Sequence, residues 1–150
     1  VIADYGKGFL REDDIEYFCD NHDSVFLDTK KLIGTWCKNA FIIKINNPEF
    51  ESIKNSIDLD GWKNKLLVTL GSRGCMFNAE NGFEYFPVEM VDISDLSGAG
   101  DSFHAGLVYS FVKSKDIKRS IKFANSLATQ AVQERGVSFD FSKWVKSQLL

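Results

Sequence analysis

The chain has 150 residues, of which 44% are hydrophobic and 13% aromatic, and its formal net charge is −3. This is the composition of one folded domain, and the small negative charge offers no basic surface for nucleic acid or an anionic membrane. No apolar run reaches the ~18 residues of a membrane span, and no signal peptide opens the sequence. The three cysteines show no CxxC spacing, which indicates free thiols in a reducing compartment and predicts a cytoplasmic protein.

Four short apolar segments, separated by helical patterns, come first along the chain. Their continuous apolar character is typical of strands buried on both faces, which predicts a mostly parallel sheet covered by helices on both sides. Ligands of such sheets bind beyond the carboxyl ends of the strands, where this sequence places its unusual polar residues. The predicted strands are 1–4, 24–28, 40–45 and 66–70.

The first predicted helix follows the acidic pair Asp13 and Asp14, which we interpret as its N-cap and a favourable first-turn charge. The apolar periodicity continues to about residue 22. The residues predicted to face inward are Ile15, Phe18 and Cys19.

The second half of the chain begins with a hairpin pattern. Asn81-Gly82 lies between the apolar runs 75–78 and 83–87, and Asn-Gly at such a place is a hairpin signal. We find no internal repeat and no linker, so we interpret the chain as one domain. The helices predicted after the hairpin are 102–113, 117–134 and 141–150.

The small-residue run Gly98-Ala99-Gly100-Asp101 directly precedes a predicted helix. Small residues let successive backbone N–H groups converge on one point, and the helix N-terminus adds partial positive charge, which suits a phosphoryl group. An aspartate at the end of such a turn can accept a proton from an attacking hydroxyl, as the base of a kinase does. A tight strand-to-helix turn with an ordinary first-turn acid is the alternative that these residues alone leave open.

Residues 95–103, Asp-Leu-Ser-Gly-Ala-Gly-Asp-Ser-Phe, resemble the signature of the PfkB (ribokinase-like) carbohydrate kinases. The resemblance implies that residues 1–150 are the C-terminal, ATP-binding and catalytic part of such a kinase. The implied fold is a three-layer αβα ribokinase-like α/β fold with a mostly parallel sheet, without its N-terminal half. Further matches, in the family's order, are DYGKG at 4–8, K-x-N-x-x-E at 44–49, TLGSRG at 69–74, and FAN at 123–125 with GVS at 136–138.

Within that family, DYGKG together with Asp28-Thr29-Lys30 is most similar to the heptose-7-phosphate kinase/ADP-heptose synthase group. The chain departs from the family patterns at Thr29 and Ile45, where proline is usual. The resemblance implies ATP-dependent phosphorylation of a sugar or sugar-phosphate hydroxyl, with D-glycero-D-manno-heptose 7-phosphate as one candidate acceptor.

The resemblance also implies roles for single residues. Asp101 would be the catalytic base, and the amides of Gly98, Ala99 and Gly100 would form the anion hole for the γ-phosphate. The residues implied to contact ATP are Lys44, Thr69, Gly71, Gly74 and Asn125.

Cation sites follow from the same resemblance. Asn46 and Glu49 would organise Mg²⁺ through water, which suits an ion that prefers oxygen ligands and keeps several waters. Asp95, Ser97 and the loop at 136–138 resemble the monovalent-cation site of some members.

Four other polar residues admit a structural reading beside a functional one. Lys7 and Lys30 could face a sugar phosphate, or they could be solvated or salt-bridged at the strand ends. Lys44 could reach a phosphate or remain structural, and His104 is predicted to be structural.

The implied first half would carry most of the sugar pocket and a lid, through which a homodimer could form. Two hypotheses follow. The chain is part of an ATP-dependent sugar kinase, or it is a nucleotide-binding or assembly module that is inactive without the missing half.

Overall fold

The computed structural model describes residues 1–133, in which the strands and helices come in the predicted order, although only a short 3₁₀ helix (Thr35–Cys37) separates the second strand from the third. Three predicted features lie outside the described residues: the loop at 136–138, the helix at 141–150, and the last residue of the helix at 117–134. None of the helices within residues 1–133 combines the length and hydrophobicity needed to cross a bilayer.

A six-stranded sheet forms the centre of the described chain, with its strands in sequence order. The first four strands are parallel, and the last two are antiparallel to their neighbours, so the mostly parallel sheet and the hairpin are both confirmed. The strands are β1 (Ile2–Asp4), β2 (Phe26–Thr29), β3 (Ile42–Asn46), β4 (Leu66–Thr69), β5 (Cys75–Ala79) and β6 (Gly82–Phe86).

Helices cover both faces of the sheet. One apolar core includes Ile15 of the first helix and Phe50 of the second, and another includes Leu107 and Ile121 of the last two helices. These two cores give the three-layer αβα architecture. The helices are α1 (Glu12–Asn21), α2 (Asn47–Ile53), α3 (Ala99–Ser114) and α4 (Ile117–Ala131).

Two charged residues, Asp28 on β2 and Lys44 on β3, lie on the face of the sheet that α3 covers. Phe26 and Ile42 belong to the core beneath α3 and α4, whereas Leu27 and Ile43 belong to the core on the other face. Side chains two residues apart on a strand share a face. Residues 28 and 44, an aspartate and a lysine, therefore point to the α3 side near the carboxyl ends of their strands.

The beginning of α1 differs from the prediction. Arg11 is the N-cap, and Asp13 and Asp14 both lie within the first turn. The Asp14 carboxylate accepts the Arg11 backbone N–H (2.8 Å) from inside the helix, so the acid serves the cap without occupying it. The prediction that Phe18 faces inward was also wrong, because its side chain is 38% exposed.

The three cysteines are buried and free, as the sequence predicts. Burial raises the pKa of the Cys37 thiol and of the Cys75 thiol to about 12. The reactive form of cysteine is the thiolate, so these two residues act as small apolar core side chains.

Gly74, between β4 and β5, has no room for a side chain. Its φ is +85°, and a Cβ built there would lie 2.1 Å from the Phe86 carbonyl oxygen. Gly71 in the same loop also has a positive φ (+63°), but a Cβ there meets nothing within 4 Å. The two glycines therefore separate the cost of backbone conformation from the cost of a steric clash.

We expect Gly74→Ala to lower the free energy of unfolding by at least about 2 kcal/mol, since a strained φ alone costs about 1–3 kcal/mol. Gly71→Ala should cost only about 1 kcal/mol. Urea unfolding of both variants measures the difference. Equal costs would contradict the clash at Phe86.

Candidate active site

The N-terminus of α3 lies over the carboxyl ends of β1, β2 and β3. Gly98, Gly100 and Asp101 line a cavity of about 180 Å³ together with strand-end residues. This is the edge of the sheet at which the sequence predicts ligand binding. The strand-end residues that line the cavity are Ala3, Asp4, Tyr5, Asp28, Lys30 and Lys44.

The helix α3 begins at Ala99 and not at the predicted Ser102. Gly98 is its N-cap at φ +76°, a left-handed conformation that glycine adopts without strain and that turns the chain directly into the helix. Ala99 and Gly100 therefore belong to the first helical turn, and Asp101 is the acid at its third position. A negative side chain there is stabilised by the helix dipole.

Two amides at this N-terminus are placed to bind an anion. The Ala99 N–H donates to the Leu96 carbonyl (3.3 Å), and the Ser102 N–H donates to the Gly98 carbonyl (2.8 Å). The N–H groups of Gly100 and Asp101 lie between them, in the turn where a helix has no carbonyl partners for its amides. These two amides begin two residues after Gly98, and the role of the Gly98–Gly100 run as an anion hole stays a prediction.

A buried ion pair lies below this turn. Lys44 is 3% exposed, and its Nζ donates to Asp28 Oδ2 at 2.6 Å. The same Nζ lies 3.3 Å from the point where a Cβ of Gly100 would be. The sheet therefore holds a fixed cation under the first turn of α3, and the missing side chain of Gly100 leaves room for it.

His104 is buried next to this pair, one helical turn after Gly100. Both ring nitrogens lack a hydrogen-bond partner among the described residues. Burial lowers the pKa of His104, and the nearby Lys44 lowers it further although Asp28 opposes this. His104 is thus a neutral core residue, in line with its predicted structural role.

Asp101 is exposed to the cavity and accepts one long-range hydrogen bond. The Tyr5 hydroxyl donates to Asp101 Oδ1 at 2.7 Å, across 96 positions of sequence. Tyr5 directly follows β1, so this contact joins the first strand to the start of α3. The contact was not predicted, because the two residues lie in separate motifs, DYGKG at 4–8 and the signature at 95–103.

A second buried carboxylate organises the end of β1. Asp4 is 6% exposed and accepts from the Gly6 N–H (3.1 Å), the Thr29 hydroxyl (2.9 Å) and the Lys31 ammonium. These three donors come from the turn after β1 and from the end of β2. Asp4 therefore ties the turn that carries Tyr5 to the neighbouring strand.

Acid should weaken this network. Burial by itself would raise the pKa of Asp4, but hydrogen bonds from Lys31, Gly6 and Thr29 outweigh it and hold that pKa below 3.8. Ionised Asp4 therefore adds to the free energy of unfolding above pH 3.8, and this contribution is lost as the pH falls through the lowered pKa. Protonation of Asp4 should therefore weaken the contact between the turn after β1 and the end of β2.

We expect Asp4→Asn to flatten the fall in unfolding free energy as the pH drops below 3.8. Asp14→Asn is the matched control. The pKa of Asp14 is also lowered, first by the hydrogen bond from the Arg11 backbone N–H. Because Asp14 is exposed, its contribution to the free energy of unfolding should shrink in about 1 M salt. Urea unfolding at each pH measures both. An unchanged slope in Asp4→Asn would contradict the network.

A larger cavity of about 350 Å³ lies between β4, the loop before α3, and the helices α3 and α4. Among its lining are Ala99 and Gly100 of the first turn of α3. Four of the residues predicted to contact ATP meet here although they come from distant parts of the sequence: Thr69, Gly71, Gly74 and Asn125.

The apolar wall of this cavity was not predicted. It comes from the segment between β6 and α3, whose apolar residues show neither strand nor helix periodicity. Those unexplained apolar residues were the available signal, because an apolar surface with a few polar groups is typical of a site for a small molecule. The residues are Val88, Met90, Val91, Ile93 and Leu96.

Asn125 is buried at the border of the cavity. Its Nδ2 donates to the Phe86 carbonyl at 2.8 Å, which ties α4 to the end of β6. The side chain therefore has a structural partner as well as a place in the lining.

Asn46 and Glu49 form a capping box at the start of α2. Asn46 Oδ1 accepts the Glu49 N–H (2.9 Å), and Glu49 Oε2 accepts the Asn46 N–H (2.7 Å). Glu49 Oε1 accepts from Asn46 Nδ2 (2.8 Å) and from Lys30 Nζ (3.0 Å). Lys30 is therefore salt-bridged, as one of its two readings expected, and it meets the residue predicted to organise Mg²⁺.

This pair fits a hydrated magnesium ion better than a directly caged one. Both oxygens of Glu49 already accept hydrogen bonds, so an ion would meet them through its own waters. Within residues 1–133, no three His, Cys, Asp or Glu residues are grouped as metal ligands. Asp95 Oδ1 accepts the Ser97 N–H (2.8 Å), while the rest of the predicted monovalent-cation site lies outside the described residues.

The predicted site residues other than Asn46, Glu49 and Lys7 therefore form two adjoining groups. Asp101, Lys44 and Lys30 line the smaller cavity, and the predicted ATP contacts other than Lys44 line the larger one. Gly100 lines both. Lys7 is exposed in the turn after β1 and lines neither.

The sequence is similar to a known family of kinases. The sequence model of the pfkB family of carbohydrate kinases matches residues 11–144. A bifunctional protein HldE from Campylobacter curvus is 36% identical over 155 residues, which cover 91% of this chain and 33% of that protein. The chain spans about a third of the length of the HldE proteins that it matches.

Solved structures show the same arrangement of strands and helices. A nucleoside kinase from Methanocaldococcus jannaschii, described as an archaeal member of the ribokinase family, matches with a TM-score of 0.73 and 20% identity. The match covers 91% of this chain and 52% of that one. Aminoimidazole riboside kinase from Salmonella enterica, solved with aminoimidazole riboside and an ATP analog, matches with a TM-score of 0.67 and 20% identity, over 84% and 52% of the two chains.

Proposed function

We propose that this chain, which belongs to the pfkB family of carbohydrate kinases and has the ribokinase-like fold, is the ATP-binding and catalytic part of a sugar kinase. The observation that carries the proposal is the meeting of two cavities at Gly100. The larger cavity suits a nucleotide, and the smaller one holds the Asp101 carboxylate. The transferred phosphoryl group would lie between them, at the N-terminus of α3.

The proposed reaction is transfer of the γ-phosphoryl group of ATP to a sugar hydroxyl. Asp101 accepts the hydroxyl proton as the sugar oxygen forms a bond to the γ-phosphorus. The bond from that phosphorus to the bridging oxygen breaks, and its electron pair leaves with ADP. Positioning and charge stabilisation supply most of the rate enhancement in such transfers.

The residues around α3 would stabilise the developing charge. The N–H groups of Gly100 and Asp101 donate to the phosphoryl oxygens, aided by the positive end of the helix dipole. Lys44, fixed by Asp28 directly below, adds a full positive charge. Both sources are held in place before substrate binds.

The larger cavity would hold the nucleotide. Thr69, Gly71 and Gly74 face its phosphates and ribose, and the apolar segment 88–96 covers the base next to Asn125. Asn46 and Glu49 would hold Mg²⁺ through water, and Mg²⁺ when bound neutralises phosphate charge. A monovalent cation near Asp95 is a further proposed ion.

The acceptor is proposed to be a sugar or a sugar phosphate. The similarity to HldE and the DYGKG turn at residues 4–8 favour a heptose 7-phosphate. Lys7 and Lys30 are the proposed contacts for the acceptor phosphate, and Lys30 would exchange its ion pair with Glu49 for that contact. The three buried free thiols support a location in a reducing compartment, which we propose to be the cytoplasm.

A second candidate function is a nucleotide-binding module that needs a further half for catalysis, supplied by the same polypeptide or by a partner. The observation that favours it is the share of relatives covered, about a third of HldE and about half of the nucleoside kinase. A homodimer formed through a lid in that other half is part of this proposal.

ATP binding and sugar-dependent ADP release separate the two candidates. We expect isothermal titration of the chain with Mg·ATP to show one site, and ADP release to depend on an added sugar or sugar phosphate. Binding without turnover supports the module. Absence of ATP binding would contradict both.

A further inference from the structure

The Tyr5 side chain touches the proposed base from the far end of the chain. Its hydroxyl donates to Asp101 Oδ1 at 2.7 Å, while the Asp101 side chain is otherwise exposed to the cavity. Tyr5 lines that same cavity. A tyrosine hydroxyl this close to a carboxylate donates its proton to the hydrogen bond and leaves the second carboxylate oxygen open to another partner.

We infer that Tyr5 is a positioning residue that holds the Asp101 carboxylate, through Oδ1, in the orientation that directs Oδ2 at the acceptor hydroxyl. The inference rests on the proposed function, because it assigns Asp101 the role of base. It adds a residue that the motif at 95–103 does not contain.

The local structure around Tyr5 supports a fixed donor. On one side of Tyr5 in the chain, Asp4 is buried; on the other, the Gly6 N–H donates to Asp4 Oδ1. A Cβ at Gly6 would lie 3.2 Å from the Lys30 Cβ, so this turn packs closely on the end of β2. The backbone that carries Tyr5 is therefore tied to the sheet on both sides of the residue.

The side of the sheet is also set by the fold. Asp4 accepts a hydrogen bond from Thr29, which shares a face of β2 with Leu27, two positions earlier, and Leu27 belongs to the core on the α1 face. The next side chain along, Tyr5, has the opposite direction and reaches α3, as Asp28 does. A shift of β1 by one residue against β2 would point Tyr5 away from Asp101. The hydrogen bond therefore depends on the register of the sheet as well as on the turn after β1.

A carboxylate at the start of a helix can rotate about its side-chain bonds, and only some orientations suit proton transfer. A hydrogen bond to a charged acceptor is strong enough to restrict that rotation. Loss of such a bond corresponds to roughly a tenfold to hundredfold change in rate if it acts only in the reaction. The effect should appear in kcat, since Tyr5 is outside the proposed nucleotide cavity.

The test is a cycle of four proteins: wild type, Tyr5→Phe, Asp101→Asn and the double variant. The phenolate absorbance of wild type minus Tyr5→Phe isolates Tyr5 from the other three tyrosines. The hydrogen bond to Asp101 raises the pKa of Tyr5 above 10.0, with help from partial burial and the charges of Asp101 and Asp28. We expect Tyr5 to titrate above 10.0 in the wild type and at a lower pH in the Asp101→Asn background.

The kinetic arm uses the same four proteins and sugar-dependent ADP release. We expect Tyr5→Phe to lower kcat roughly tenfold to a hundredfold with KM for ATP unchanged, and to have no further effect once Asp101 is asparagine. Tyr17→Phe, on an exposed side chain of α1, is the matched control and should keep the wild-type kcat.

The two arms separate this inference from the proposed function. An identical Tyr5 titration with and without the Asp101 charge would overturn the positioning role, whether or not the chain turns over. Equal losses of kcat from Tyr5→Phe in both backgrounds would overturn it as well. A coupled titration in a chain without sugar-dependent turnover would support the contact and favour the nucleotide-binding module over a chain that is active by itself.

Discussion

Replacement of Asp101 by asparagine is expected to lower sugar-dependent ADP release by about 10²- to 10⁴-fold, the usual contribution of a general base. Asparagine keeps the shape of the side chain and an oxygen that can accept from Tyr5, but its amide cannot take the proton of the acceptor. The amides of Gly100 and residue 101 remain. ATP affinity should therefore stay near the wild-type value, and isothermal titration measures it beside the rate.

The matched control is Asp23→Asn. Asp23 is an exposed acid in the loop that leads into β2, at the edge of the sheet opposite the site. It should leave both the rate and ATP binding unchanged. If the 150-residue chain needs a further half for turnover, the same pair of variants is compared in the longer polypeptide. A rate in Asp101→Asn within a few-fold of wild type would remove Asp101 from the role of base.

Replacement of Lys44 by methionine is expected to lower the free energy of unfolding by about 3–5 kcal/mol, because it leaves the buried Asp28 carboxylate without its partner. Asp28 Oδ1 already lacks a hydrogen-bond partner among the described residues, so the loss of Lys44 leaves the whole group unsatisfied. Urea unfolding of the chain measures the cost. Lys118→Met, which breaks an exposed ion pair with Glu84, should cost less than about 1 kcal/mol.

The double variant Asp28→Asn with Lys44→Met separates stability from phosphate binding. Removing both charges together should recover much of the lost stability, since neither charge remains buried alone. The cation below Gly100 is nevertheless absent, so we expect Mg·ATP to bind more weakly than to wild type. Wild-type ATP affinity in a well-folded double variant would leave Lys44 with a structural role only.

The sequence by itself determined the layout of the fold. Apolar strands, the Asn-Gly turn and the small residues at 98–101 are local signals, since each depends on residues within a few positions of one another. The carboxyl-end rule then located the site at one edge of the sheet before any contact was known. The solved kinase structures confirm the fold, whereas the location of the site stays a prediction.

A further local pattern lies at the start of α2. Asn46-x-x-Glu49 is a capping-box pattern at the start of a helix, and the structure forms that box. From sequence, this pair was predicted only to organise Mg²⁺. Only the geometry reveals that both Glu49 oxygens already accept hydrogen bonds, which leaves room for an ion held through water but not for one bound directly.

The tertiary structure alone decided which distant residues meet. Asp28 pairs with Lys44 because adjacent parallel strands bring these two register partners together on the α3 side. Tyr5 reaches Asp101 because β1 ends at the same edge as the first turn of α3. Side-chain direction alternates with every residue, so these contacts depend on strand order and register across the whole sheet, which no single stretch of sequence specifies.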